Sequence, residues 1–260
     1  MNLASDRFRA RIRHYTPERI SPFNEANRAY PRARKTERDL LTDLLDPRPG
    51  DTVVDAMAGG GYLAEGIRER TGGAARILCI DPAPSFTDSI APDFERLTAH
   101  ADALPLATGA VARVASLAGI HHLGRVQEFF CEAFRILAPG GRFAVADALA
   151  GSPAARWLDG PVDRLSDIGH DGRFPAANDL AQMLRAAGFS DVEETTRAYT
   201  WDFPDLDALA WFCKRLFRLQ RADEAEVRGA VLDTLRVTSD DAGVHMEWGL
   251  AFAAGVRPAD

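Results

Sequence analysis

Residues 53–66 read VVDAMAGGGYLAEG. Val53, Val54 and Asp55 have the look of a strand ending on an acid. Gly59, Gly60 and Gly61 form a tight turn, and YLAEGIRERTG (62–72) reads as a helix. In a strand–turn–helix unit the glycines let a ligand approach the backbone closely, and the first turn of the helix offers N–H groups to it. The Gly59-x-Gly61-x-x-Ala64 spacing alone would serve a dinucleotide as well as anything else. Asp55, four residues ahead of the glycines, points away from a dinucleotide: its carboxylate would confront the phosphates, whereas it suits an ammonium group.

The neighbouring sequence alternates in the same manner. TERDLLTDLLD (36–46) reads as a helix with Thr36 as N-cap and Leu40, Leu41, Leu44 and Leu45 on one face, stopped by Pro47 and Pro49-Gly50. Strands are predicted at DTVVDA (51–56), RILCID (76–81), FERLTAHA (94–101), VARVASLAG (111–119) and RFAVADAL (142–149). Between them fall a short helical turn at 87–90 and the helix VQEFFCEAFRILAPGG (126–141), closed by Pro139-Gly140-Gly141. Such alternation predicts an α/β, doubly wound, mostly parallel sheet with helices on both faces. After Ala150 the rhythm changes, and residues 151–175 read as a lid or substrate insertion. A helix capped by Asn178 (178–189), a strand (191–201), two helices (205–219 and 223–236) and a last strand (243–256) complete the sheet. Residues 1–35 read as an N-terminal arm or flap in which Pro17, Pro22 and Pro31 break any long helix. Residues 36–260 form one Rossmann-like domain carrying the insertion at about 151–175.

Composition narrows the function. The 260 residues carry a net charge of −7, which argues against an electrostatic nucleic-acid binder. The alternating Arg7, Arg9, Arg11 and Arg13 read as a solvated segment. Cys79, Cys131 and Cys213 sit in apolar contexts and read as buried thiols in a reducing compartment. With no apolar run of about 20 residues and no signal-like leader, the reading is cytoplasmic, with no membrane partner. No spacing of histidine, cysteine or acid marks a metal site.

Three acids follow strand ends: Asp55, Asp81 and Asp102. Asp81 lies 20 residues beyond Gly61, the distance at which a carboxylate meets the ribose hydroxyls of a nucleotide held over the turn. A ligand with a ribose and an α-ammonium but no phosphate satisfies both acids, and S-adenosylmethionine is such a ligand. The segment from about 36 to 150 resembles the core of the class I S-adenosylmethionine-dependent methyltransferases. VVDAMAGGGY resembles that family's first motif, LCIDPAP its acid-ended second strand, ADALPLATGAV its adenine segment and AGIHHL the tail of its fourth strand. EAFRILAPGGRFAVAD resembles the helix–turn–strand that follows. The resemblance implies a seven-stranded sheet in the order 3-2-1-4-5-7-6 with the last strand antiparallel. It implies that Gly59 and Gly61 line the methionine moiety, that Asp81 holds the ribose, and that Asp102 with the Ala103 amide addresses adenine; Asp55, Ala56, Pro82 and Leu104 are further candidates to contact the cofactor. Two residues depart from the pattern: Met57 stands for the first glycine and Ala112 for an acid opening the fourth strand.

Outside these motifs, His121 and His122 after the fourth strand and His170 in the insertion are candidates for a catalytic base, since imidazole titrates near neutrality. Tyr30 and Arg34 in the arm are candidates to reach the cofactor's carboxylate. Trp201 and Phe203 read as core or as a substrate wall, and Glu247 and Trp248 as structural. The favoured activity is methyl transfer to a small-molecule acceptor, with the oligomeric state open. Alternatives are a non-methylating reaction of the same cofactor, such as cyclisation or elimination, and a catalytically silent binding protein of the same fold.

Overall fold

Two valines set the layering of the molecule. In the computed structural model, which describes residues 12 and 14–259, Val53 and Val54 are adjacent and fully buried, yet they belong to different hydrophobic cores. Successive strand residues point to opposite faces, so a strand with both faces covered reads as a continuous apolar run. Cys79 and Ile80 repeat the division one strand over.

The chain enters through α1 (Pro17–Ala29) and α2 (Lys35–Leu45), then β1 (Thr52–Ala56), α3 (Tyr62–Arg70), β2 (Arg76–Asp81), α4 (Pro84–Ser89), β3 (Glu95–Thr98) and β4 (Val111–Leu117). It continues with α5 (Val126–Ile136) and β5 (Leu137–Asp147). Among the described residues the sheet has eight strands in the order β3-β2-β1-β4-β5-β8-β6, where β6 is Ser190–Phe203 and β8 is Gly243–Val256. β1 to β5 are parallel, and β8 runs antiparallel between β5 and β6. This is the expected order with one addition, β7 (Val237–Asp240), which pairs with the start of β8. Strand order reverses between β2–β1 and β4–β5, so a crevice opens there beyond the carboxyl ends of the strands.

Several boundaries differ from the sequence reading, each for a local reason. α1 runs through the arm, because Pro17 sits at its first position, where an N–H has no intrahelical partner anyway; Pro22 is accommodated inside. Arg34, not Thr36, stands at the N-cap of α2. Pro139-Gly140-Gly141 do not close α5 but form an irregularity early in β5, where the register to β4 shifts between Val111 and Arg113. The insertion is helical in part, with α6 (Pro153–Trp157), a π turn (Leu158–Val162) and α7 (Asp163–Leu165). α8 (Asp179–Ala186) has no side-chain cap from Asn178, which is left-handed at φ 70°. Glu194 of β6 accepts from the Asn178 and Ala181 amides instead. α9 (Leu206–Leu216) and α10 (Glu224–Thr234) complete the elements. Cys131 is exposed, whereas Cys79 and Cys213 are buried and burial pushes both thiols up. The Arg7, Arg9, Arg11 and Arg13 group lies outside the described residues. Among the described residues no helix is long and apolar enough to cross a membrane.

Candidate active site

A cavity of about 270 Å³ lies at the strand-order reversal. Its lining comes from several sides. Asp55, Met57, Gly59, Asp81, Pro82 and Ala83 come from the tips of β1 and β2. His121, His122, Asp147 and His170 come from the tips of β4 and β5 and from the insertion. Trp201, Phe217, Trp248 and Leu250 supply an apolar wall, and Arg19, Ile20 and Phe23 of α1 a third side. Phe23 meets Phe86 edge-on at 5.5 Å, which fastens α1 to α4 across the crevice.

The β1–α3 turn is held by the two carboxylates beneath it. Asp81 Oδ2 accepts from the Gly59 amide and Oδ1 from the Ala83 amide, both at 2.9 Å. Asp55 Oδ2 accepts from the Ala64 amide at 3.1 Å, which ties the end of β1 to the first turn of α3. Burial pushes the Asp55 carboxyl up to about 8, against the Ala64 hydrogen bond and helped by the nearby Asp81 charge. Burial also raises Asp81, to about 6, while its two backbone hydrogen bonds oppose the shift. Each Asp81 oxygen keeps lone-pair capacity after its one backbone bond, enough to accept ribose hydroxyls.

Met57 has a left-handed backbone at φ 58°, the conformation glycine adopts without cost, so the departure from the family pattern carries strain. Gly119, after β4, makes room for it: a Cβ there would lie 2.7 Å from Met57 Cβ.

Arg34 lines the cavity. Its Nε donates to Glu37 Oε1 at 2.6 Å, and its guanidinium stands 5.3 Å from the rings of Tyr62 and Trp201. Tyr30 is placed elsewhere, in an aromatic cluster with Phe203, Trp211 and Phe212. Ala56 is buried in the sheet, and Gly61 stands outside the cavity lining at the N-cap of α3. Asp102, Ala103 and Leu104 also lie outside the lining, and the Leu104 amide donates to Glu132.

The three histidines converge. Atoms able to act as ligands on His121, His122 and His170 lie within 4.8 Å of one another. Asp147 Oδ1 is 2.7 Å from His121 Nδ1, and Asp159 Oδ1 is 3.1 Å from His170 Nδ1. Chain spacing gave no sign of a metal site because His170 returns from 48 positions beyond His122 through the insertion.

Sequence reasoning also missed Arg19 and Arg218. Both line the cavity and both face Asp167, Arg19 as a close ion pair and Arg218 at 3.7 Å. Arg19 Nη1 and Arg218 Nε and Nη1 are buried without a hydrogen-bond partner among the described residues. Desolvation lowers the Arg218 guanidinium from its ordinary range. Neither arginine sits in a motif, so no local signal marked them. Trp248, read as structural, turns its ring to the cavity and stacks on Trp201 at 4.5 Å.

A doubly wound sheet with a glycine turn held over the buried Asp55 and Asp81 forms a Rossmann-like crevice of the kind that holds a nucleoside. Residues 54–145 match the family described as Methyltransferase domain. The malonyl-[acyl-carrier protein] O-methyltransferase of Geobacter sulfurreducens is 31% identical over 223 residues, covering 80% of this chain and 81% of that protein. The ubiquinone/menaquinone biosynthesis C-methyltransferase UbiE of Cereibacter sphaeroides is 26% identical over 185 residues, 60% of this chain and 73% of that protein. The crystal structure of YcgJ from Bacillus subtilis superposes with a TM-score of 0.62 at 15% identity, covering 86% of this chain and 99% of that one. The chain belongs to the class I S-adenosylmethionine-dependent methyltransferases, and S-adenosylmethionine is its cofactor.

Proposed function

We propose that this methyltransferase acts on a small-molecule acceptor with an apolar body and an anionic group. The observation that carries this is the Arg19–Arg218 pair. Two guanidinium groups share one carboxylate, and three of their buried N–H-bearing nitrogens lack acceptors among the described residues. A buried donor left unsatisfied costs about 1–3 kcal/mol, and a ligand carboxylate or phosphate would meet that need. Trp201, Phe217 and Trp248 offer aromatic faces to the rest of the acceptor. The two relatives are named for different acceptors, so the acceptor class is argued from this cavity.

Within this reading the cofactor lies along the β1 and β2 tips. Asp81 accepts its ribose hydroxyls, Gly59 passes beneath its methionine part, and Arg34 receives its carboxylate. Asp102 and Ala103, on the turn after β3, would complete the adenine end. Methyl transfer is an in-line displacement, so alignment of nucleophile, methyl carbon and sulfur supplies much of the rate. His121, His122 and His170 line the same cavity and are the candidates for handling an acceptor's proton, as a base or through a bound group.

The test is S-adenosylhomocysteine formation with a panel of aromatic hydroxy acids and their methyl esters. Free acids turning over, with KM raised at least tenfold in Arg218→Met at little change in S-adenosylhomocysteine affinity, support the reading. Equal turnover of acids and esters overturns the anionic requirement. Methyl label recovered only in protein or nucleic acid overturns the small-molecule acceptor.

A further inference from the structure

We propose that His121, His122 and His170 form a binding site for one divalent first-row transition ion of the zinc class, beside the acceptor end of the cavity. The ligand atoms already lie within 4.8 Å of one another. Tetrahedral zinc–imidazole bonds of about 2.0–2.1 Å put ligand nitrogens roughly 3.4 Å apart, so the set has to tighten to hold the ion. Three imidazoles select zinc, cobalt, nickel or copper over magnesium or calcium, which take oxygen ligands.

The groups behind the triad carry the argument further. A carboxylate only accepts hydrogen bonds, so His121 Nδ1, 2.7 Å from Asp147 Oδ1, bears the proton. That leaves the lone pair on His121 Nε2. Asp147 is itself fixed, since Oδ2 accepts from the His121 amide and Oδ1 from the Ala148 amide. Asp159 orients His170 in the same sense, and the His170 amide is pinned to Asp163 Oδ1 at 2.8 Å. Carboxylate–histidine pairs of this kind hold the tautomer and ring orientation of metal ligands. Gly172 leaves space against the rings: a Cβ there would lie 2.5 Å from His170 Cε1 and 3.0 Å from His121 Cδ2. Three protein ligands leave a coordination position for an acceptor oxygen, as in catalytic zinc sites.

Only the use of the ion rests on the function proposed above. An acceptor hydroxyl bound to it would release its proton to solvent, and the oxygen would then form its bond to the methyl carbon. The carbon–sulfur bond breaks with its electrons going to sulfur, which yields neutral S-adenosylhomocysteine.

The experiment is a titration of tag-free, chelator-treated full chain with cobalt(II) chloride, without cofactor or acceptor, read by calorimetry and visible absorption. We expect one equivalent bound with the intense absorption of low-coordinate cobalt. His122→Ala and His170→Ala should lose that spectrum. Asp159→Asn, at a largely exposed carboxylate, should lower cobalt affinity by about 10–100-fold. A wild-type spectrum identical to hydrated cobalt, or unchanged binding in both histidine variants, overturns the site. S-adenosylhomocysteine calorimetry on the same samples separates the failures. Cofactor binding without cobalt binding sinks the metal site alone, whereas cobalt binding with no turnover of any acid sinks the acceptor assignment alone.

Discussion

Trp201 donates its indole N–H to Glu37 Oε2 at 3.0 Å, tying β6 to α2 across 164 positions of sequence. The Tyr199 hydroxyl donates to the same oxygen at 2.9 Å, and Arg34 occupies the other. Glu37 is fully buried and Arg34 nearly so. One carboxylate therefore sets the posture of an aromatic wall residue and of the cation proposed to meet the cofactor.

Removing that charge strands a buried guanidinium. Glu37→Gln should destabilise the fold by about 3–5 kcal/mol, read as a lower urea midpoint at unchanged slope. Arg34→Met added to Glu37→Gln should recover a large part of the loss while leaving S-adenosylhomocysteine affinity low. A double variant as unstable as the single one would show that the pair is not the source of the effect.

Asp81 sets a pH dependence of cofactor binding. With its carboxyl at about 6 in the folded protein, affinity for S-adenosylhomocysteine should rise with pH through that value, as the deprotonated form gains acceptors for hydroxyls. Asp81→Asn should bind at least tenfold more weakly, in line with about 1.5–3 kcal/mol for a hydrogen bond to a charged group. Its affinity should also be flat across the same window. Calorimetry at pH 5 to 8 checks both.

Asp55 should act on stability instead. Its folded carboxyl sits at about 8, against about 3.9 for an unfolded chain. Between about pH 4 and 8 the unfolded chain has released this proton while the folded protein keeps it. Stability from this group is therefore complete below that window, falls as pH rises through it, and levels off above. Asp55→Asn, which can still accept from the Ala64 amide, should flatten this part of the curve in denaturant titrations.

Met57 and Gly119 should couple. Gly119→Ala forces a Cβ to within 2.7 Å of Met57 Cβ and should cost about 1–3 kcal/mol through overpacking. Met57→Gly removes both the contact and the left-handed strain, so the double variant should regain most of the loss. Additive effects in the double-mutant cycle would mean the two sites do not touch in solution.

The parts of this protein that sequence reveals are those where neighbours in the chain are neighbours in space. The glycine turn, Asp55 and Asp81 lie within one strand–helix–strand unit, and the strand order accompanies the family resemblance. Elements defined by distant partners were hidden. Asn178 reads as a cap, yet Glu194 from β6 does that work. Tyr30 reads as a cofactor contact, but burying its ring against Phe203, Trp211 and Phe212 draws it away. β7 has no periodic signature in its four residues and exists because the start of β8 extends past β5. Arg19, Arg218 and His170 meet the cavity from three separate segments, so no window of sequence contains their relationship.

β8 changes company halfway along its length. Residues 251–256 are locked between β5 and β6, while residues 243–246 run between β6 and β7. Trp201, Trp248 and Leu250 lie in or beside that second stretch and line the cavity. Changes at Trp248 or Leu250 can thus reshape the cavity wall without altering the tips of β1 and β2, whereas a change at Trp201 also reaches Arg34 through Glu37. Under the proposed acceptor assignment, repainting this ribbon would retune the apolar wall while leaving Arg19 and Arg218 to hold the anionic group.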